Sequence, residues 1–328
     1  MITVSRGGLL TTVQDLGRRG MQRHGIAPGG AMDPVAHRIA NLLVGNPEDA
    51  AALECTMLGP TLEFVDETVL AVGGGDLGAA LDGREIPLWQ PILVAAGSVL
   101  TFSGMRTGCR TYVAVAGGID VPAVLGGRGT DLLAGIGGLD GRALAAGDTL
   151  GIAAGGELSR RIRSRLAASP RNARSAGRSL LPRYATELVI RVIRGPEYDR
   201  FSAPSRVLLT AGGFEVTPQS NRMGLRLTGP ALSLAGLYDL HSTPVACGMI
   251  QVPPSGEPIV LMADHQTIGG YPRIASAITV DLPLLAQARP GTRIRFREVG
   301  LAEAQSLYLD REHNLVVFAE GLRSHYMS

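Results

Sequence analysis

Lysine is absent from all 328 residues, and each of the 31 basic side chains is an arginine. That excludes a phosphate-loop lysine, a Schiff-base lysine and a lysine carrying biotin or lipoate. If the chemistry uses ATP or biotin, another chain must hold the reactive end. Cysteine is also scarce. Cys55, Cys109 and Cys247 stand far apart, an odd count that fits neither a disulfide framework nor a C-x-x-C metal site. They read as small buried hydrophobes, and no metal site is expected. No apolar run reaches the roughly 18 residues that a membrane helix needs. The opening "MITVSRGGLL" has no basic segment followed by an apolar stretch and a cleavage site. A cytoplasmic location and no membrane contact are the expectations.

What is present is a globular composition, 45% hydrophobic and 18% charged, with enough length for two domains. Charge is unevenly spread. Residues 156–186 hold eight arginines and one glutamate, a net of +7 against +2 for the whole chain, so the remaining residues carry −5. A mildly acidic body does not look like a nucleic-acid surface. The basic stretch lacks interleaved aromatics and reads as a solvated, partly mobile linker. The expected division is therefore a first domain over 1–155, a linker over 156–186 and a second domain over 187–328.

A mainly β architecture with a few helices follows from the pattern of the chain. "AGSVLTF" (96–102), "AGDTLGI" (146–152) and "PGTRIRF" (290–296) each place a glycine before alternating apolar residues, as a turn entering a half-buried strand does. Further strands are expected at 68–72, 110–116, 187–193, 205–210 and 258–262. With 44 glycines spacing short strands, β-barrels are favoured over a helical or doubly wound fold. One helix is expected after Asp33, with Pro34 at its first position, a stripe of Val35, Ile39, Leu42 and Leu43, and Gly45 as its stop. A second is expected over 301–314, packing through Leu301, Ala304, Leu307 and Tyr308.

The densest chemistry lies in "ADHQTIGGYPRIA", residues 263–275. An apolar strand runs into Asp264, His265, Gln266 and Thr267, then two glycines free to take positive φ and offer backbone N–H groups, then Tyr271 and Arg273. Arg273 can grip a carboxylate by two parallel hydrogen bonds, and so can Arg222 in "SNRMGLRL". An amide substrate needs donors on its carbonyl oxygen and acceptors for its N–H. For that task the sequence offers Gln251 and Asn221 as amide-reading groups, Gly269 and Gly270 as backbone donors with Thr267 beside them, and Asp264 or Tyr271 for proton handling. A polar hairpin loop with a solvated arginine would use the same residues. His265 reads as a loop histidine. Near the start, "TVQDLGRRGMQRHG" sets Asp15 and Arg18 beside Gly17 and Gly20.

These segments, with "TVQDLGRRGMQRHGIAPGGAMD", "ANLLVGNPEDAAALE", "GPTLEF", "IQVPPSGEPIVLMAD" and "QTIGGYPRIA", resemble the biotin-dependent carboxyltransferase family that includes allophanate hydrolase subunit 2, the KipA proteins and, most closely, the C component of 5-oxoprolinase. Two departures stand out: Gly29 where a serine is expected, and the length and charge of the arginine-rich stretch. The resemblance implies two cyclophilin-like β-barrel domains. It implies two partners, the KipI-like B component and the A component of 5-oxoprolinase, with ATP used by the complex and biotin only on a partner chain. The implied reaction opens the lactam of 5-oxo-L-proline to glutamate. Alternatives within the resemblance are carboxyl transfer to urea or a related amide, and a non-catalytic KipA-type regulator that antagonises a KipI-like kinase inhibitor.

Overall fold

The structure, a computed structural model, describes residues 1–236 and 240–328. It divides into two compact units: Met1–Arg18, Gly29–Pro182 and Glu312–Ser328 form the first, Arg19–Pro28 and Arg183–Arg311 the second.

The first unit is built on two sheets. One has seven strands in the order Ile119–Asp120, Thr149–Ile152, Ile2–Arg6, Thr61–Phe64, Val99–Phe102, Ala79–Leu81 and Arg84–Glu85. The other has five, in the order Leu10–Gln14, Ala52–Thr56, Thr107–Val115, Thr68–Asp76 and Pro91–Val94. Alternation along the inner strands assigns their side chains to two cores. Leu70, Val72, Val113 and Val115 join Ile2, Leu62, Phe64 and Leu100 in one. Val69, Ala71, Tyr112 and Ala114 join Ile39 and Leu43 of helix α1 (Pro34–Leu43) in the other. A strand covered on both faces explains the unbroken apolar run at 69–72. Helix α1 begins as the sequence predicts: Asp33 accepts the N–H of Ala36 at 2.9 Å, and Gly45 takes φ 78° after the last turn.

The second unit is a closed seven-stranded barrel, ordered Glu187–Arg194, Arg273–Ala277, Met249–Gln251, Ile259–Leu261, Gly224–Thr228, Phe214–Val216 and Arg293–Glu298. Closure comes from the parallel pairing of Glu187–Arg194 with Arg293–Glu298, Leu188 opposite Ile294 and Ile190 opposite Phe296. Phe214 and Phe296 meet inside with ring centroids 5.5 Å apart. The turn glycines Gly97, Gly147 and Gly291, expected from the repeated glycine-strand pattern, all take positive φ.

Three expectations about secondary structure and packing are corrected. Residues 205–210 are not a strand but belong to helix α3 (Ala203–Ala211), because the Ser202 hydroxyl accepts the N–H of Ser205 and Pro204 fits the first turn. The arginine-rich stretch is not a solvated linker. It forms helix α2 (Glu157–Ala168), whose Ile162 and Leu166 are buried in the α1 core of the first unit, while all eight arginines stay exposed. Further along, Ala176 donates to the Trp89 carbonyl at 2.9 Å and the Arg174 N–H to the Tyr326 hydroxyl at 2.8 Å. The first unit thus runs on to Pro182 instead of ending at 155. The last helix is longer than expected. A short helix α4 (Leu282–Ala286) precedes α5 (Leu301–Met327), in which Leu301 and Tyr308 are exposed and Leu315, Leu322 and Tyr326 are the buried residues.

Among the described residues no helix is long and apolar enough to cross a membrane. Cys55 and Cys109 are buried, Cys247 is partly so, and none is bonded to another. Burial pushes the Cys55 and Cys247 thiols up to about 12, which suits packing rather than nucleophilic chemistry.

Candidate functional site

In the second unit, the strand Ile259–Leu261 delivers residues 263–275 to one end of the barrel. The turn starts with two backbone bonds to the neighbouring segment: the Met262 N–H donates to the Met223 carbonyl at 3.0 Å and the Asp264 N–H to the Arg222 carbonyl at 2.9 Å. This register sets Arg222 and Asp264 side by side. Arg222 donates from Nε to Oδ2 of Asp264 at 2.7 Å and from Nη2 to Oδ1 at 2.9 Å. Arg273 is held in the same way by Glu197, Nε to Oε2 at 2.8 Å and Nη2 to Oε1, while its Nη1 reaches the Pro244 carbonyl at 3.1 Å. Burial works to raise the Glu197 carboxyl, but the Arg273 guanidinium and backbone N–H outweigh it and hold the group below the ordinary carboxylate range. The two-point contacts expected for a substrate carboxylate are thus made to the protein's own acids.

Gln251 and Gln266 form the amide pair of this loop. Gln251 is buried, its Oε1 accepts from Gln266 Nε2 at 3.2 Å, and its Nε2 points at the Tyr271 carbonyl at 3.4 Å. A Cβ on Gly269 would lie 2.6 Å from Gln251 Nε2, so the glycine is what leaves room for the pair. Neither Gly269 nor Gly270 takes positive φ, contrary to the expectation from sequence. Gly269 is instead extended, paired with Thr243 in a two-stranded ribbon, and the Thr267 carbonyl accepts the Val245 N–H at 3.1 Å beside it. Tyr271 is 45% exposed. Asn221 does not extend its amide toward the turn: its Oδ1 accepts the N–H groups of Met223 at 2.8 Å and Gly224 at 3.3 Å, a local Asx turn. His265 is buried, not a surface loop residue. Its Nδ1 lies 2.6 Å from the Gln266 carbonyl, which fixes the tautomer with the proton on Nδ1, and burial lowers its pKa.

The first unit contains a polar constellation of which the sequence pattern singled out only Asp15. Glu54, on Ala52–Thr56, lies directly opposite Tyr112 on Thr107–Val115, with Arg110 two residues back on the same face. The Tyr112 hydroxyl donates to Glu54 Oε2 at 2.8 Å and accepts the Asp33 N–H at 2.8 Å, and the Met32 N–H donates to the same carboxylate oxygen at 2.8 Å. Arg110 Nε is 3.8 Å from Glu54 Oε1. Above them on α1 sits His37, fully buried, which burial lowers to about 4 against the partial pull of the Asp15 and Glu54 charges. Asp15 accepts the Gly17 N–H at 2.8 Å and the Arg128 N–H on its other oxygen. The available signal was Glu54 in the apolar run "AALECT" together with Arg110 and Tyr112 at alternate positions of one strand. Among the described residues no group of three or more His, Cys, Asp or Glu side chains is arranged to hold a metal ion.

Residues 24–298 match the family described as carboxyltransferase domain, subdomain A and B. The chain is 41% identical over 316 residues to the C component of 5-oxoprolinase from Escherichia coli K12, covering 95% of this chain and 96% of that protein. It is 38% identical over 311 residues to the C component of 5-oxoprolinase from Haemophilus influenzae, covering 93% of this chain and 95% of that one. The crystal structure of the Kluyveromyces lactis urea carboxylase superposes with a TM-score of 0.87 at 32% identity, over 98% of this chain and 29% of that much longer one.

Proposed function

The chain belongs to the carboxyltransferase-domain family, subdomains A and B, and from that premise we propose that it serves as the C component of a 5-oxoprolinase complex. The observation that carries this reading is identity of about 40% over nearly the full length of two proteins so named. The complex would open the lactam of 5-oxo-L-proline to glutamate with ATP hydrolysis. The partners are the A component and a KipI-like B component. This chain has no lysine, so it does not fit a phosphate-loop or biotinyl role, and ATP or biotin belongs to the partner chains.

A lactam is unreactive because its nitrogen lone pair is delocalised into the carbonyl, and opening it requires donors on the oxygen and a partner for the N–H. The amides of Gln251 and Gln266 with the half-exposed Tyr271 are the groups we assign to that task, with Thr267, Gly269 and Gly270 shaping the floor and Asn221 holding the neighbouring turn. Asp264, fixed by Arg222, is the proposed proton acceptor. Arg273 positions the loop through Glu197.

Reconstitution tests the assignment. The purified chain should be silent toward 5-oxoproline with ATP and magnesium, and adding the A and B components should give ATP-dependent glutamate. A complete mixture that stays silent would sink the reading. The likeness to urea carboxylase supports a second one, carboxyl transfer to urea, which the same mixture with urea, bicarbonate and a biotinylated partner would reveal.

A further inference from the structure

In the first unit, the N-terminal end of helix α2 lines a cavity of about 400 Å³, a size that takes a small molecule. Part of its wall is apolar. Val69 and Ala116 come from adjoining strands, joined by the Ala116 N–H to the Val69 carbonyl at 2.8 Å, and Ile152 ends the strand Thr149–Ile152. The rest carries both signs of charge. Arg160 and Arg163 come from one turn of α2, and Glu67 comes from the turn before Thr68–Asp76. Arg160 Nη1 donates to the Gly155 carbonyl at 2.9 Å, and Asp66 is held by the Met1 ammonium at 2.9 Å. Arg163 and Glu67 have neither a hydrogen bond nor an ion pair among the described residues, so two opposite charges share one cavity without closing on each other.

The helix end at this cavity is also short of partners. No side chain caps α2 at Gly156, and the Ser159 hydroxyl, in a residue only 3% exposed, has no hydrogen-bond partner. The hydroxyl lies at the cavity wall: Ser159 and Gly155 are both in the lining, and a Cβ on Gly155 would fall 3.6 Å from Ser159 Oγ. A buried hydroxyl left unpaired is costly, and uncapped first-turn N–H groups favour an anion, so both features call for an acceptor here.

We propose that this cavity binds an acidic α-amino acid, its carboxylates on Arg160, Arg163 and the first turn of α2 and its ammonium on Glu67. Arginine forks take carboxylates by paired hydrogen bonds, and the apolar wall suits the methylene stem. A simple anion fits less well, because Glu67 repels it and stays unpaired. Every group named belongs to the first unit, and the space is already open. The inference goes beyond the 5-oxoprolinase reading and does not depend on it, although that reaction would release such an amino acid.

Isothermal titration calorimetry on the full chain tests this with L-glutamate, with glutarate, which lacks the ammonium, and with inorganic phosphate. L-glutamate should bind at one site, roughly tenfold or more tighter than either other probe. Arg163→Gln and Glu67→Gln should each weaken it by roughly tenfold. Arg165→Gln, on the same helix outside the cavity, should leave it unchanged. All three positions are exposed, so melting temperatures should match wild type, and if one cavity variant melts early the other decides. Three results overturn the site: no binding of L-glutamate, glutarate or phosphate bound as tightly, or L-glutamate binding indifferent to the cavity variants. Turnover of 5-oxoproline by the reconstituted complex is decided separately.

Discussion

Arg273 and Glu197 meet through a planar fork: Nε donates to Oε2 at 2.8 Å, Nη2 to Oε1, and the Arg273 backbone N–H adds a third bond to Oε2 at 2.9 Å. The pair ties the start of the barrel strand Arg273–Ala277 to the segment after Glu187–Arg194. Because both groups are nearly excluded from water, removing one leaves the other as an uncompensated charge, which costs ~3–5 kcal/mol. Arg273→Lys keeps the charge and loses the fork, so urea unfolding should report a destabilisation of roughly 2 kcal/mol or more. Were Arg273 instead a grip for a substrate carboxylate, the lysine variant would fold normally and lose only activity. An unchanged unfolding midpoint would restore that view.

Tyr112 is a hub in the first unit, donating to Glu54 and accepting from the Asp33 N–H at the start of α1. Tyr112→Phe keeps the ring and strands the Asp33 donor. Leaving a buried donor unsatisfied costs about 1–3 kcal/mol, so the variant should lose stability in that range by chemical denaturation. A midpoint equal to wild type would mean that water replaces the hydroxyl.

His37 makes stability depend on pH in a stated direction. Folded, it titrates at about 4 because burial disfavours the cation, against an ordinary 6.5 when unfolded. Between these values the unfolded chain binds the extra proton, so stability is full above 6.5 and falls as pH drops toward 4, by up to ~3 kcal/mol. His37→Gln should flatten that part of the profile relative to wild type. Parallel profiles for the two proteins between pH 7 and 4.5 would show that other groups set the slope.

Helix α2 separates a buried from an exposed face within one arginine-rich segment. Ile162 is fully buried and Arg163 is exposed. Ile162→Ala should therefore cost ~2–5 kcal/mol, whereas Arg163→Ser should stay within about 0.5 kcal/mol. Thermal melts of the two variants check the contrast, and a silent Ile162→Ala would return the segment to a solvated connection.

Local chemistry was enough to read the parts of this protein that depend on short range. Asp33, Pro34 and Gly45 set the limits of α1, and glycines before alternating apolar residues mark the turns at Gly97, Gly147 and Gly291, because capping and positive φ are decided within a few residues. The missing lysine excluded lysine-borne chemistry on this chain, and the long motifs carried the resemblance to the family. Tertiary structure decided which charges are spent on the fold. Arg273 and Glu197 are 76 positions apart and Arg222 and Asp264 are 42 apart, and no local pattern announces that a barrel will join them. Ile162 and Leu166 are outnumbered by arginines in composition, yet helical spacing puts both on one side, where a core is waiting. Arg18 stands in the sequence beside Asp15, Gly17 and Gly20, which says nothing of what would surround its guanidinium. Only the glycine-rich turns of residues 124–141, more than 100 positions away, bury it and leave its Nη1 without an acceptor.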